Sequence, residues 1–139
     1  MGAWGKGNFD NDTANDWAAD FVDAGDLSVL NKTLEKVLAA GDYLSERASC
    51  HALAACEVIA RMKGNWGKRD AYTEKVDVWV QANPMQPSPD LVQLALRAID
   101  RIRSKSELKD LWEEGPPPRT DWGADWHKVV EELRERVAR

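Results

Sequence analysis

Apolar residues recur along most of this chain at three- and four-residue spacing, the pattern of helices with one buried face. The first nine residues break it. Gly2, Gly5 and Gly7 are interspersed with Trp4 and Phe9 and predict a tight, irregular loop. A helix then begins near Asp10, with Asp10 and Asp12 capping it and complementing its dipole. Its apolar face is Ala14, Trp17, Ala18, Phe21 and Val22, and Gly25 ends it. Asp26 can cap a second helix, whose stripe is Leu27, Leu30, Leu34, Val37 and Leu38 and whose C-terminal glycine is Gly41. From Ser45 to Lys63 the pattern changes in kind. Small and apolar residues from Ala52 to Ala60 cover most of the circumference, which predicts a central helix packed on several sides and closed by Gly64.

Residues 64–71 read as a polar loop around Asn65, Trp66 and Gly67. The stretch 72–82 fits two patterns: Tyr72, Val76, Trp79 and Val80 lie at helical spacing, while Val76 to Val80 alternates like a strand. Helix is favoured because no partner strand is evident elsewhere. After a proline-punctuated linker, Ser88 caps, Pro89 takes the first helical position and Asp90 supports the dipole. Leu91, Leu94, Ala95, Ala98, Ile99 and Ile102 form that helix's face. Ser104 and Glu107 have capping-box spacing before a short helix with Leu108, Leu111 and Trp112. Gly115 and Pro116 to Pro118 stop it. Thr120 starts a last helix carrying Trp122, Trp126, Val129, Val130, Leu133 and Val137 on one side. The expected architecture is all-α: a compact single domain over residues 1–139, a bundle of about seven helices with a glycine-rich N-terminal loop.

Length and charge narrow the function classes. A chain of 139 residues fits one domain with one good core. The net charge is −5, and the most basic stretch, Arg97 to Lys105, is interrupted by Ile99, Asp100 and Ile102, so no nucleic-acid partner is expected. No run approaches the roughly 18 to 20 apolar residues that span a membrane, and the N-terminus lacks a signal peptide's apolar run. Lys6 stands where a myristoylation signal has Ser or Thr. Cys50 and Cys56, six residues apart on one helix, point in different directions. That argues against a disulfide and for a reducing, cytoplasmic setting. Seven tryptophans are many for this length, and some are expected at an interface.

The opening Met1-Gly2-Ala3-Trp4-Gly5-Lys6-Gly7-Asn8-Phe9-Asp10-Asn11-Asp12, followed by Asp16-Trp17, resembles the start of the bacterial domain-of-unknown-function family 4259. The stretches Ala52 to Ala60 and Ser104 to Glu114 resemble its other two blocks, so the resemblance covers essentially the whole chain. It implies one bacterial, cytoplasmic domain. It carries no established substrate, cofactor or catalytic residue, and none is transferred. Cys56 stands where the resemblance implies a small residue such as Ala, which reads as a packing variant rather than a nucleophile.

Three features carry candidate chemistry. Asp10, Asp12, Asp16 and Asp20 crowd the first helix, with the last three along one side at i, i+4 and i+8. They form either a capped, solvated face or an oxygen-rich site for a hard cation, although the glycine and glutamate of an EF-hand loop are missing. Glu57 lies inside a nearly apolar helix. Burial would raise its pKa and make it a general acid or base, unless Arg61 at i+4 or backbone donors of the opening loop hold it. Trp4 and Phe9 either plug the core or join Trp66 in a glycine- and tryptophan-containing surface that grips a ligand or protein. Cys50, His51 and Cys56 match no zinc spacing, and no P-loop, dinucleotide fingerprint or serine elbow is present. The preferred expectation is a protein-binding module without catalysis, of accessory or immunity type, that docks a protein partner through an acidic, tryptophan-containing surface and needs no cofactor. The alternative is a metal-assisted hydrolase or small-ligand binder using Asp10, Asp12, Asp16 and Glu57.

Overall fold

Seven helices appear in the computed structural model, which describes residues 5–114 and 121–139: α1 (Asp12–Ala24), α2 (Ser28–Ala39), α3 (Glu46–Met62), α4 (Glu74–Ala82), α5 (Pro89–Ser104), α6 (Glu107–Glu113) and α7 (Trp122–Ala138). The all-α expectation holds, and no described residue forms a strand. The ambiguous stretch 72–82 contains α4, where Val76 and Val80 are buried one helical turn apart.

The organising element is α3. Thirteen of its seventeen residues are buried, and it packs against all six other helices. Its sequence explains this: Ala52, Ala54, Ala55 and Ala60 are fully buried on different sides and let neighbouring backbones approach closely. Around it, α2 packs on α5, α5 on α7, α6 on α7 and α1 on α4. One continuous core results, with Trp126, Phe21, Ile59, Ile99 and Leu133 among its largest enclosed side chains. No helix among the described residues is long and apolar enough to cross a membrane.

The ends of the helices correct several sequence expectations. Asn11, not Asp10, caps α1, its side chain accepting from the Ala14 backbone N–H at 2.8 Å. Asp10 sits one residue too early, in a turn closed by its own N–H donating to the Gly7 carbonyl. Gly25 ends α1 in the left-handed region and Gly64 adopts the same region after α3, but α2 closes through an extended Ala40, so Gly41 is not a left-handed cap. Leu27 stands at the start of α2 with no side-chain cap of its own, and Asp26 before it accepts from the Ser28 N–H at 2.9 Å. Ser106, not Ser104, caps α6, because Ser104 is still the last residue of α5. Glu107 does not complete a capping box either. Its carboxylate accepts from the Glu46 N–H at 2.7 Å and ties the start of α6 to the start of α3. Gly115, the three prolines and Thr120 lie outside the described residues, as does Trp4.

Candidate functional site

The centre of the candidate site is Glu57, 5% exposed and facing the junction of α3, α7 and the opening loop. Helical spacing places Arg61 one turn later, where its Nη1 donates to Glu57 Oε1. The remaining partners come from far along the chain. Arg136 of α7 grips the carboxylate with both arms, Nη1 to Oε1 and Nη2 to Oε2, each at 2.9 Å. Asn8 Nδ2 donates to Oε2 at 2.7 Å. Arg61 turns its Nε to Asp77 Oδ1 at 2.7 Å and its Nη2 to the Lys68 carbonyl at 2.8 Å. Thr73 Oγ1 donates to Asp77 Oδ2 at 2.7 Å, and Arg136 Nε reaches Glu132. Two carboxylates and two guanidiniums therefore neutralise one another in the interior, which is how buried charge is normally tolerated.

This arrangement decides between the two readings of Glu57 in favour of the paired, structural one. Burial pushes the Glu57 carboxyl up, but Arg136, Arg61 and Asn8 outweigh burial and hold it below the ordinary carboxylate value. Glu57 is thus an ionised structural anchor, and its oxygens are already occupied. The pairing with Arg61 is as the spacing predicted. The donor from the opening loop is the Asn8 side chain rather than a backbone N–H.

The opening loop is shaped for this role. Gly7 N–H donates to Asp10 Oδ2 at 3.0 Å, and a Cβ on Gly5 or Gly7 would come within 2.5 or 2.6 Å of that oxygen. The glycines are needed for the close approach. The turn presents Asn8 and Phe9 inward, both buried, with the Arg61 guanidinium 5.6 Å from the centre of the Phe9 ring. Outside the turn, Lys6 pairs with Asp125 at 3.0 Å. The carboxylate of Glu57 dictates that Asn8 points its amide nitrogen inward. Its oxygen, buried, has no hydrogen-bond partner among the described residues.

Above the ion cluster lies a pocket of about 340 Å³. Residues 7–10 form one wall, Lys68, Asp70 and Thr73 a second, and Lys128, Val129, Glu132 and Arg136 a third, with Glu57 and Arg61 lining it as well. The loop can lie against α7 because residue 67 is glycine: a Cβ there would meet the Arg136 guanidinium at 2.6 Å.

Of the residues singled out from the sequence, Phe9, Asp10 and Glu57 meet at this pocket. Asp12 and Asp16, with Asp20, stay exposed on α1. Among the described residues no group of three His, Cys, Asp or Glu side chains is placed to hold a metal ion. Trp66 is half-buried, with the Arg69 guanidinium 4.5 Å from its ring centre, and it lines a separate groove with Met85. Trp17, Trp112 and Trp126 are buried, and Trp79 and Trp122 partly so. Cys50 and Cys56 are buried and unbridged. Burial, helped by Glu46, pushes the Cys50 thiol up to about 12, and burial next to Glu57 pushes Cys56 higher. His127 joins Glu113 at 2.8 Å and Arg103 at 3.3 Å.

Sequence reasoning missed Asn8, Asp77, Lys128 and Arg136. Arg136 and Asp77 did leave a trace: each charge is next to a core residue of its helix, Val137 and Val76. The family model described as "Domain of unknown function (DUF4259)" matches residues 2–128, a stretch that includes Asn8, Glu57, Arg61 and Asp77 and ends before Arg136. No curated protein and no solved structure matches the chain.

Proposed function

The chain belongs to the DUF4259 family, a domain of unknown function, and we propose that it is a small-molecule-binding protein whose site is the pocket over Glu57. The observation that carries this reading is the convergence of four separate chain segments on one concavity of about 340 Å³, a size suited to a small ligand. A rigid, self-neutralised ion cluster underlies it, and Phe9 and Val129 supply apolar surface. The cluster's donors and acceptors are spent on one another, which favours binding over proton transfer.

Thermal-shift screening of small-molecule fractions from the host tests the proposal. Val129→Trp, which fills the pocket from its half-buried wall, serves as the comparison. At least one fraction should raise the melting temperature of the native protein by a few degrees and leave Val129→Trp unmoved. Fractions that shift both proteins equally, or neither, would sink the reading.

The groove beside Trp66 favours a second reading, in which an accessory or immunity-type protein docks a partner. Met85, 42% exposed, lines a concavity of about 450 Å³ together with Trp66 and Pro84. A partner recovered from the host by the native protein and lost with Met85→Lys would support docking at that place. Equal recovery by both would remove it. In either reading the buried, unbridged cysteines fit a reducing cytoplasm.

A further inference from the structure

We infer that the pocket's ligand is a zwitterion of amino-acid type, with an apolar side chain between its ammonium and carboxylate contacts. This rests on the binding reading above and deepens it. Eight charged side chains line the pocket: Asp10, Glu57, Asp70, Glu132, Arg61, Lys68, Lys128 and Arg136. Six of them are already satisfied. Glu57 is held by Arg61 and Arg136, Arg136 also reaches Glu132, and Lys68 stands 3.6 Å from Asp70.

What remains is one charge of each sign. Asp10 uses Oδ2 to accept from Gly7, while its Oδ1 makes no hydrogen bond and the carboxylate no ion pair among the described residues. Lys128, exposed on α7, likewise has no ion-pair partner among the described residues. A purely anionic ligand drawn to Lys128 would meet Asp10, and a purely cationic one would meet Lys128. Only a ligand carrying both charges matches both. The neutralised cluster offers neither end a competing partner, and Phe9 and Val129 supply apolar surface in the same lining. The volume suits a single amino acid or a dipeptide.

The test is an NMR titration of the full chain with L-leucine, L-phenylalanine and a leucyl dipeptide, set against N-acetyl-L-phenylalanine, which lacks the ammonium, and L-phenylalaninamide, which lacks the carboxylate. At least one zwitterion should give saturable shifts at the amides of Gly7, Asn8 and Val129, and the charge-blocked analogues should bind about tenfold or more weakly. Asp10→Asn should abolish the penalty for acetylation and keep the penalty for the amide, and Lys128→Gln should do the reverse. Melting temperatures near the native value confirm that both variants fold. Analogues that bind as tightly as the zwitterions would overturn the assignment. So would a panel that never saturates while host fractions still give a signal that Val129→Trp abolishes; in that case the pocket binds something else and the binding proposal stands. Fractions and panel failing together would remove both.

Discussion

Arg136 shows how much of the site rests on single side chains. It is 79 positions from Glu57 yet supplies two of the carboxylate's hydrogen bonds, and both groups are buried. Arg136→Met leaves Glu57 with Arg61 and Asn8 alone. Because removing one partner of a buried pair leaves charge uncompensated, we expect a loss of about 3 to 5 kcal/mol in urea unfolding. Glu57→Met combined with Arg136→Met should recover a large part of that loss, since Arg61 keeps Asp77. A double variant less stable than the single one would mean that the carboxylate is needed for more than neutralising Arg136. The same cluster sets an acid limit. The Glu57 carboxyl is held below its ordinary value of 4.5, so its contribution is complete above that pH and lost as pH falls through the lower folded value. Stability should therefore drop below about pH 4.5, and Glu57→Gln, though less stable at neutral pH, should show a shallower drop. At this scale the sequence was half legible: i, i+4 spacing identified the pair Glu57–Arg61, but no local pattern pairs a residue of α3 with one near the end of α7.

Helix ends were less legible than helices, and the reason is competition between neighbouring caps. Ser104 and Glu107 have capping-box spacing, but Ser106 accepts from Lys109 N–H at 3.0 Å, and its hydroxyl donates to the Ile102 carbonyl at 2.7 Å. The two interpretations predict different losses. Ser106→Ala should cost about 1 kcal/mol, as loss of an N-cap does, whereas Ser104→Ala should be close to neutral, because Ser104 is exposed and only donates back to Arg101. Thermal melts of the two variants decide between them, and the opposite order would restore the capping box. The periods themselves were read correctly. Stripes such as Leu30, Leu34 and Val37 or Ala95, Ala98, Ile99 and Ile102 are buried as spaced, because each needs only its own helix to form. A cap depends on which of several adjacent hydroxyls and carboxylates the tertiary fold leaves free, and Glu107 was claimed by α3.

At the scale of the whole molecule, the centrality of α3 was legible because a helix apolar nearly all round has to be surrounded. The pocket was not, since it exists only where residues 7–10, 57–61, 68–73 and 128–136 meet. The two cysteines make that architecture measurable, because both lie on α3 under different cover. Cys56 is fully enclosed, its sulfur 3.8 Å from the Ala95 carbonyl oxygen, in a helix held by all six others. Cys50 lies beneath the opening loop, near Gly5, Gly7 and Asn8. A thiol reagent at pH 8 should therefore find Cys50 through local lifting of the loop, at a rate nearly independent of low urea. Cys56 should react only through global unfolding, at a rate that rises with urea as the equilibrium constant does. Gly7→Ala, whose Cβ would displace the Asp10 carboxylate that accepts from the Gly7 N–H, should speed the labelling of Cys50 much more than that of Cys56. If both thiols instead respond to urea and to Gly7→Ala in step, the loop opens only with the core. The pocket would then be a fixed part of the fold, and a ligand would enter past the half-exposed Asp10 and Lys128 rather than by displacing the loop.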